Sequence, residues 1–152
     1  EQRKLCLCQK GSRHYQKHQQ KAARCHEKIR NQRRDYLHKL SFRLAEDYDA
    51  VAVEDLDLKA MSRGLNFGKS VMDNGYGNFL NMLSYKLEER RKVLVKTDRF
   101  YPSSKKCSKC GKVKETLALS ERIYHCSCGN HMDRDVNTAI NIREEGKRLL
   151  CA

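Results

Sequence analysis

No run of apolar residues in this 152-residue chain is long enough to cross a bilayer, and Glu1 to Gln20 holds no apolar stretch of the kind a secretory signal needs. The first absence excludes a membrane-spanning reading, and the second points to a cytoplasmic chain. Proline occurs once, as Pro102, and acids are scarce, 19 Asp and Glu against 32 Lys and Arg. No internal repeat is present. What remains is a soluble globular composition, 39% hydrophobic and 34% charged, enough for one modest core or a core carrying a small metal module.

The net charge of +13 is uneven: between Glu1 and Arg34 there are 11 basic and 2 acidic residues. Such a segment calls for a polyanionic partner, because cations that neutralise phosphates release condensed counterions. The competing reading is a merely solvated helical face. Lys17, Lys21, Arg24, Lys28 and Arg33 are the candidate phosphate contacts.

Arg13 to Asp47 is rich in Gln, Lys and Arg, with apolar residues at Ile29, Tyr36, Leu37, Leu40 and Leu44 and no Gly or Pro. That spacing predicts one long amphipathic helix or a helical hairpin with a wet, basic face. "DAVAVEDL" (49–56) then reads as a short buried strand edged by acids. Lys59 to Gly77 carries four glycines and reads as a loop. Tyr76, Phe79, Leu80, Leu83 and Leu87 mark the face of a second helix, "KVLVKT" (92–97) another strand, and Val136 to Leu149 a final amphipathic helix.

Four of the eight cysteines fall in two close pairs, Cys107/Cys110 and Cys126/Cys128, fifteen residues apart, while Cys6, Cys8, Cys25 and Cys151 are scattered. A basic, helical chain without a signal sequence does not suit a disulfide framework, so the pairs predict a metal site in a reducing cytosol. Four thiolates from two tight turns make a closed tetrahedral zinc site with bonds of about 2.3 Å. Each pair ends in Cys-Gly, which lets the backbone turn its N–H groups toward the sulfurs. Because the second pair is one residue shorter than the usual spacing, a rival set substitutes His125 or His131 for one cysteine. A four-thiolate site leaves no open position for catalysis, so the zinc is structural.

Asp49, Glu54, Asp55 and Asp57 gather around one strand, and Asp133 and Asp135 open the last helix. In a basic protein such acids suit hard divalent cations, magnesium or manganese. Asp133 equally fits a helix N-cap and Asp135 a first-turn charge favourable to the helix dipole.

The runs "VAVEDLDLKAM", "YKLEERRKVLVKTDRFYPSSKKCSKCG" and "CGNHMDRDVNTAINI", with "NQRRDYLHKLS", resemble the TnpB (OrfB) family of insertion-sequence proteins, transposon-encoded relatives of the type V CRISPR effectors. The resemblance covers nearly the whole chain. It implies an α/β fold: a partial RuvC/RNase H-like core with long basic N-terminal helices and an inserted zinc ribbon. It also implies a metal-dependent endonuclease that cuts DNA under an RNA guide. Carried over by position, Glu54 is the second catalytic acid and Asp135 the third. Both would hold Mg2+ or Mn2+, with Asp133 as the helix cap and Asn137 placed to orient the site.

By the same resemblance, residues 1–48 form the basic helical segment, 49–104 the core, 105–131 the zinc ribbon and 132–152 the final helix. The family's first catalytic aspartate, in a GxDxG-like context, has no counterpart here. The chain is therefore expected to be the C-terminal part of such a protein, from a truncated gene or an expression fragment, and inactive alone. The alternative is a non-catalytic zinc-ribbon DNA- or RNA-binding module. A transposase that joins DNA ends, the family's historical label, lacks the tyrosine-and-histidine chemistry of its transposing partners.

Overall fold

The computed structural model describes residues 1–64, 75–118 and 120–151. A short helix, α1 (Gln2–Cys6), folds back on the long α2 (Arg13–Asp47). Glu1 meets His18 Nδ1 at 2.8 Å, and Gln2 meets His26 Nε2 at 2.9 Å. The helix-or-hairpin alternative resolves to one unbroken helix of 35 residues, about 50 Å long. Ser12 starts it, its hydroxyl accepting from the Tyr15 N–H at 3.1 Å.

The expected apolar stripe is not continuous. Ile29 and Tyr36 are 45% and 60% exposed, and residues 23–36 are open to solvent at every position. Burial is confined to Ala22 near α1 and to Ser41 and Ala45 near the C-terminal end.

The strand β1 (Ala50–Glu54) leads into α3 (Leu58–Gly64), and α4 (Tyr76–Glu89) leads into β2 (Val93–Thr97). The strands pair in parallel, from Ala50 opposite Val93 to Glu54 opposite Thr97. A parallel pair requires a crossover, which is where a helix belongs. The loop expected over 59–77 is corrected at both ends. Asp57 Oδ1 accepts from the Ala60 N–H at 2.9 Å, and good helix formers follow, so α3 begins at Leu58. At the other end Tyr76 already opens α4, while residues 65–74 of that expectation lie outside the described residues.

Alternation along β1 separates two faces. Val51 turns to the core of Ala45, Leu83 and Leu87, packed by Leu44, Phe79 and Leu94. Ala50, Ala52 and Glu54 turn to the opposite face, where α5 (Arg134–Leu150) crosses with Gly146 against Ala52. Lysines join the layers. Lys86, buried in α4, donates to Ser41 Oγ at 2.7 Å and the His38 carbonyl at 2.8 Å. Lys92 donates to the Ala45 and Glu46 carbonyls, closing the negative end of the α2 dipole.

Between β2 and α5 lies a hairpin of β3 (Ile123–His125) and β4 (His131–Asp133). Among the described residues no helix is long and apolar enough to cross a membrane.

Candidate metal centre and acidic site

The two cysteine pairs converge. Ligand atoms of Cys107, Cys110, Cys126 and Cys128 all lie within 4.8 Å of one another, with Cys107–Cys128 at 3.7 Å and Cys110–Cys126 at 3.6 Å. A tetrahedron with bonds of about 2.3 Å has edges of about 3.8 Å, so the thiols are set at metal spacing and not at the ~2 Å of a disulfide. Tight turns place them: Gly111 N–H donates to the Cys107 carbonyl, Gly129 N–H to that of Cys126, and both glycines take positive φ, +79° and +85°. His125 and His131 instead pair with each other across the hairpin, ring centroids 4.5 Å apart, and neither joins the group. Cys6, Cys8, Cys25 and Cys151 also stay outside it.

The thiols do not ionise alike. Burial pushes Cys107 up, but the N–H groups of Cys110 and Lys109, the Asn130 amide and the Cys110 thiol outweigh it and bring Cys107 down to about 6. Cys126 is lowered, chiefly by the Cys128 N–H. The Asn130 N–H acts to lower Cys128 too, yet desolvation and the three neighbouring thiols push it up to about 12. Four negative charges cannot crowd together near neutral pH unless a cation joins them. The cluster can hold a metal such as zinc, and that donor set is closed.

Buried amides seat the ribbon on α5. Asn137 Oδ1 accepts from the Ser108 N–H at 3.0 Å and the Asn130 amide at 3.4 Å, while its own Nδ2 donates to the Lys106 carbonyl at 2.8 Å. Asn141, one turn on, donates to the carbonyls of Ser103 and Lys106. Asn137 thus faces the ribbon, and every bond its side-chain amide makes among the described residues goes there and none to Asp135 or Glu54. Tyr124 fills the ribbon interior and donates to the Lys105 carbonyl at 2.8 Å. Sequence reasoning missed Tyr124, Asn130, Asn141 and Ser103. The i, i+4 pair of asparagines on a helix that otherwise buries little was the available signal.

The acids separate into distinct roles. Asp49 stands before β1 and pairs with Lys92 at 3.7 Å, at the opposite end of the strand from Glu54. Asp55 and Asp57 pair with Arg99 at 3.0 and 3.4 Å. Asp133 caps α5, its Oδ1 accepting from the N–H groups of Asp135 and Val136 at 2.8 and 3.1 Å. Glu54, closing β1, accepts from Ser103 Oγ at 2.5 Å. Asp135 is exposed in the first turn of α5. Among the described residues no group of three acids, histidines or cysteines includes either Glu54 or Asp135.

Lys17, Lys21, Arg24 and Lys28 are all exposed and follow one another at steps of four, three and four residues, which aligns them on one face of α2. Arg33 departs from that face. It lines a groove of about 780 Å³ with His26, Ile29, Arg30 and, from α4, Asn78 and Met82.

Comparison with known proteins covers both halves of the chain. Residues 1–64 match the OrfB family of IS605-type elements, described as "Probable transposase", and residues 76–142 match the "Cas12f1-like, TNB domain" family. A Streptomyces pristinaespiralis protein named "Putative RNA-guided DNA endonuclease" is 39% identical over 145 residues, 95% of this chain and 36% of that protein. InsQ of Escherichia coli K12, named in the same way, is 31% identical over 167 positions, 98% of this chain and 41% of its own length. The chain thus spans between about a third and two fifths of these curated relatives. The fold resembles the protein in a cryo-EM structure of a Cas12f1–sgRNA–target DNA complex, with a TM-score of 0.59 and 22% identity over 76% of this chain and 34% of that one. With a family match on each half and relatives aligned along nearly its whole length, the chain belongs to the TnpB (OrfB) family of insertion-sequence proteins.

Proposed function

We propose that this chain is part of an RNA-guided, metal-dependent DNA endonuclease. In this reading β1, β2, α4 and α5 belong to a RuvC-like core, the four-cysteine ribbon holds Zn2+, and Glu54 and Asp135 hold Mg2+ or Mn2+. The supporting observation is how α5 lies on β1. Gly146 meets Ala52, and Ser103 links Asn141 to Glu54, so α5 runs opposite to β1. Asp135 is eleven residues from Gly146, three helical turns, and so shares its face; Glu54 shares the α5-side face of β1 with Ala52. Both acids therefore lie toward one end of the pair, with about 10 Å of axial distance between their backbones, a gap that side chains and bound ions can span.

The residues fit hard cations, since both offer carboxylate oxygens and, among the described residues, neither is consumed by an ion pair, unlike Asp55 and Asp57. The chemistry such ions supply is activation of a water and stabilisation of the leaving oxygen of a phosphodiester. The Lys17, Lys21, Arg24 and Lys28 face would hold nucleic acid by its backbone, leaving target choice to the guide RNA. Zinc belongs to the scaffold, because four thiolates leave it no open position.

The test fuses the chain behind the N-terminal portion of the Streptomyces relative and supplies guide RNA and target DNA. Magnesium-dependent cleavage that Glu54→Ala or Asp135→Ala each abolishes supports the reading. Binding without cleavage, unaltered by either change, favours instead a zinc-ribbon nucleic-acid-binding module. The lack of a third acid beside Glu54 and Asp135 among the described residues gives that second reading its footing.

A further inference from the structure

Ser103 is only 7% exposed, although it lies in an irregular segment between β2 and the ribbon. Three bonds fix it. Its N–H donates to the Tyr101 carbonyl at 2.7 Å, its carbonyl accepts from Asn141 Nδ2 at 2.8 Å, and its hydroxyl donates to Glu54 Oε1 at 2.5 Å. Asn141 is itself buried and held at its own carbonyl by the Tyr101 hydroxyl at 3.4 Å. The backbone of Ser103 therefore belongs to α5, while its hydroxyl reaches across to β1.

A hydroxyl has one proton to give, and here it goes to one oxygen of Glu54, which fixes the carboxylate's rotation and leaves Oε2 available. Carboxylates that bind metals are commonly oriented by such partners, and losing the partner weakens metal binding about 10- to 100-fold. We propose that Ser103 is a positioning residue that holds the Glu54 carboxylate in its metal-binding orientation. The inference rests on the reading of Glu54 as a metal-holding acid. The periodicity of the sequence around it does not announce this role, and Ser104 beside it is less buried.

The experiment titrates the zinc-loaded chain with Mn2+, followed by water-proton relaxation, alongside the melting temperature of each variant. Ser103→Ala is expected to weaken Mn2+ binding at least about tenfold, and Ser103→Thr, which keeps the hydroxyl, to restore it. A purely packing role would lower the melting temperature of Ser103→Ala and leave the Mn2+ affinity of the folded protein untouched. Wild-type affinity in Ser103→Ala, or no recovery in Ser103→Thr, overturns the proposal. Should Ser103→Ala not fold, Ser103→Cys carries the same expectation as a weaker donor of similar size. Glu54→Gln separates the two claims: if it binds Mn2+ like the wild type, the metal-site reading itself fails, whereas its loss with Ser103→Ala unaffected removes only the role of Ser103.

Discussion

Replacing Gly146 with alanine should destabilise the protein, against the usual sign of that change. In an uncrowded helix interior Gly→Ala stabilises by about 0.8–1 kcal/mol. Here a Cβ on residue 146 would stand 2.4 Å from the Cβ of Ala52 and 3.7 Å from its Cα. Carbon atoms in contact sit about 3.5–4 Å apart, so α5 and β1 would have to separate by about 1 Å or more. Overpacking of this kind costs about 1–3 kcal/mol, which after the propensity gain leaves a net loss of up to about 2 kcal/mol. For a domain of this size each kcal/mol lost lowers the melting temperature by about 2–4 °C. Urea and thermal unfolding with zinc kept saturating would measure it. Ala52→Gly in the same molecule reopens the space, so the double-mutant cycle should show a coupling above about 1 kcal/mol. A Gly146→Ala protein more stable than wild type would refute the contact, and with it the seating of α5 that sets Asp135 relative to Glu54.

Three further outcomes are expected. The purified chain should carry one zinc per molecule and lose it in the Cys110→Ser, Cys128→Ser double variant, as elemental analysis would show; uptake should release protons and weaken as pH falls, because the raised Cys128 must give up its proton, and more steeply below about 6, where Cys107 protonates as well. Neutralising Lys17, Lys21, Arg24 and Lys28 to glutamine should flatten the salt dependence of duplex DNA binding by about 0.9 in log–log slope per lost phosphate contact. Burial, then the nearby Arg90 charge, holds Lys86 below its usual range. Between that lowered folded value and the ~10.4 of the unfolded chain the unfolded state binds more protons, so stability should rise with pH there. Lys86→Met should flatten that rise in unfolding curves taken across alkaline pH.

Much of the fold could be read from local pattern. "AVAVE" and "VLVKT" are short apolar runs and became the parallel pair, and the 13–47 stretch without Gly or Pro became one helix. The cysteine spacing sufficed to mark the metal centre because two tight turns of four thiols have few other uses. Position across the fold was less legible. Ile29 and Tyr36 keep helical spacing with Leu37 but are left about half exposed among the described residues, since periodicity reports a face and not the length over which a neighbour runs. Asp49 is close to Glu54 in sequence, yet five strand residues carry it to the other end of β1. Asn137 was read with the acids because it follows Asp135, whereas two residues on a helix turn the side chain about 200° away, toward the ribbon. Ser103 was invisible because its partners, Asn141 and Glu54, lie 38 and 49 residues away.

The bare middle of α2 has a mechanical consequence. Over residues 23–36 no side chain of the helix is buried among the described residues, and an isolated stretch of that length, rich in like charges, would be a marginal helix in water. It persists as a beam between two supports, α1 at one end and α4 with the Lys92 cap at the other. The spacing from Lys17 to Lys28, about 16 Å, is thereby set before any polyanion arrives. The backbone ordering that a flexible basic tail must undergo on contact has already been met by folding, at about 1–2 kcal/mol per residue. Loosening either support should let the beam fray, so damage at α1 should weaken the nucleic-acid binding proposed for the Lys17, Lys21, Arg24 and Lys28 face.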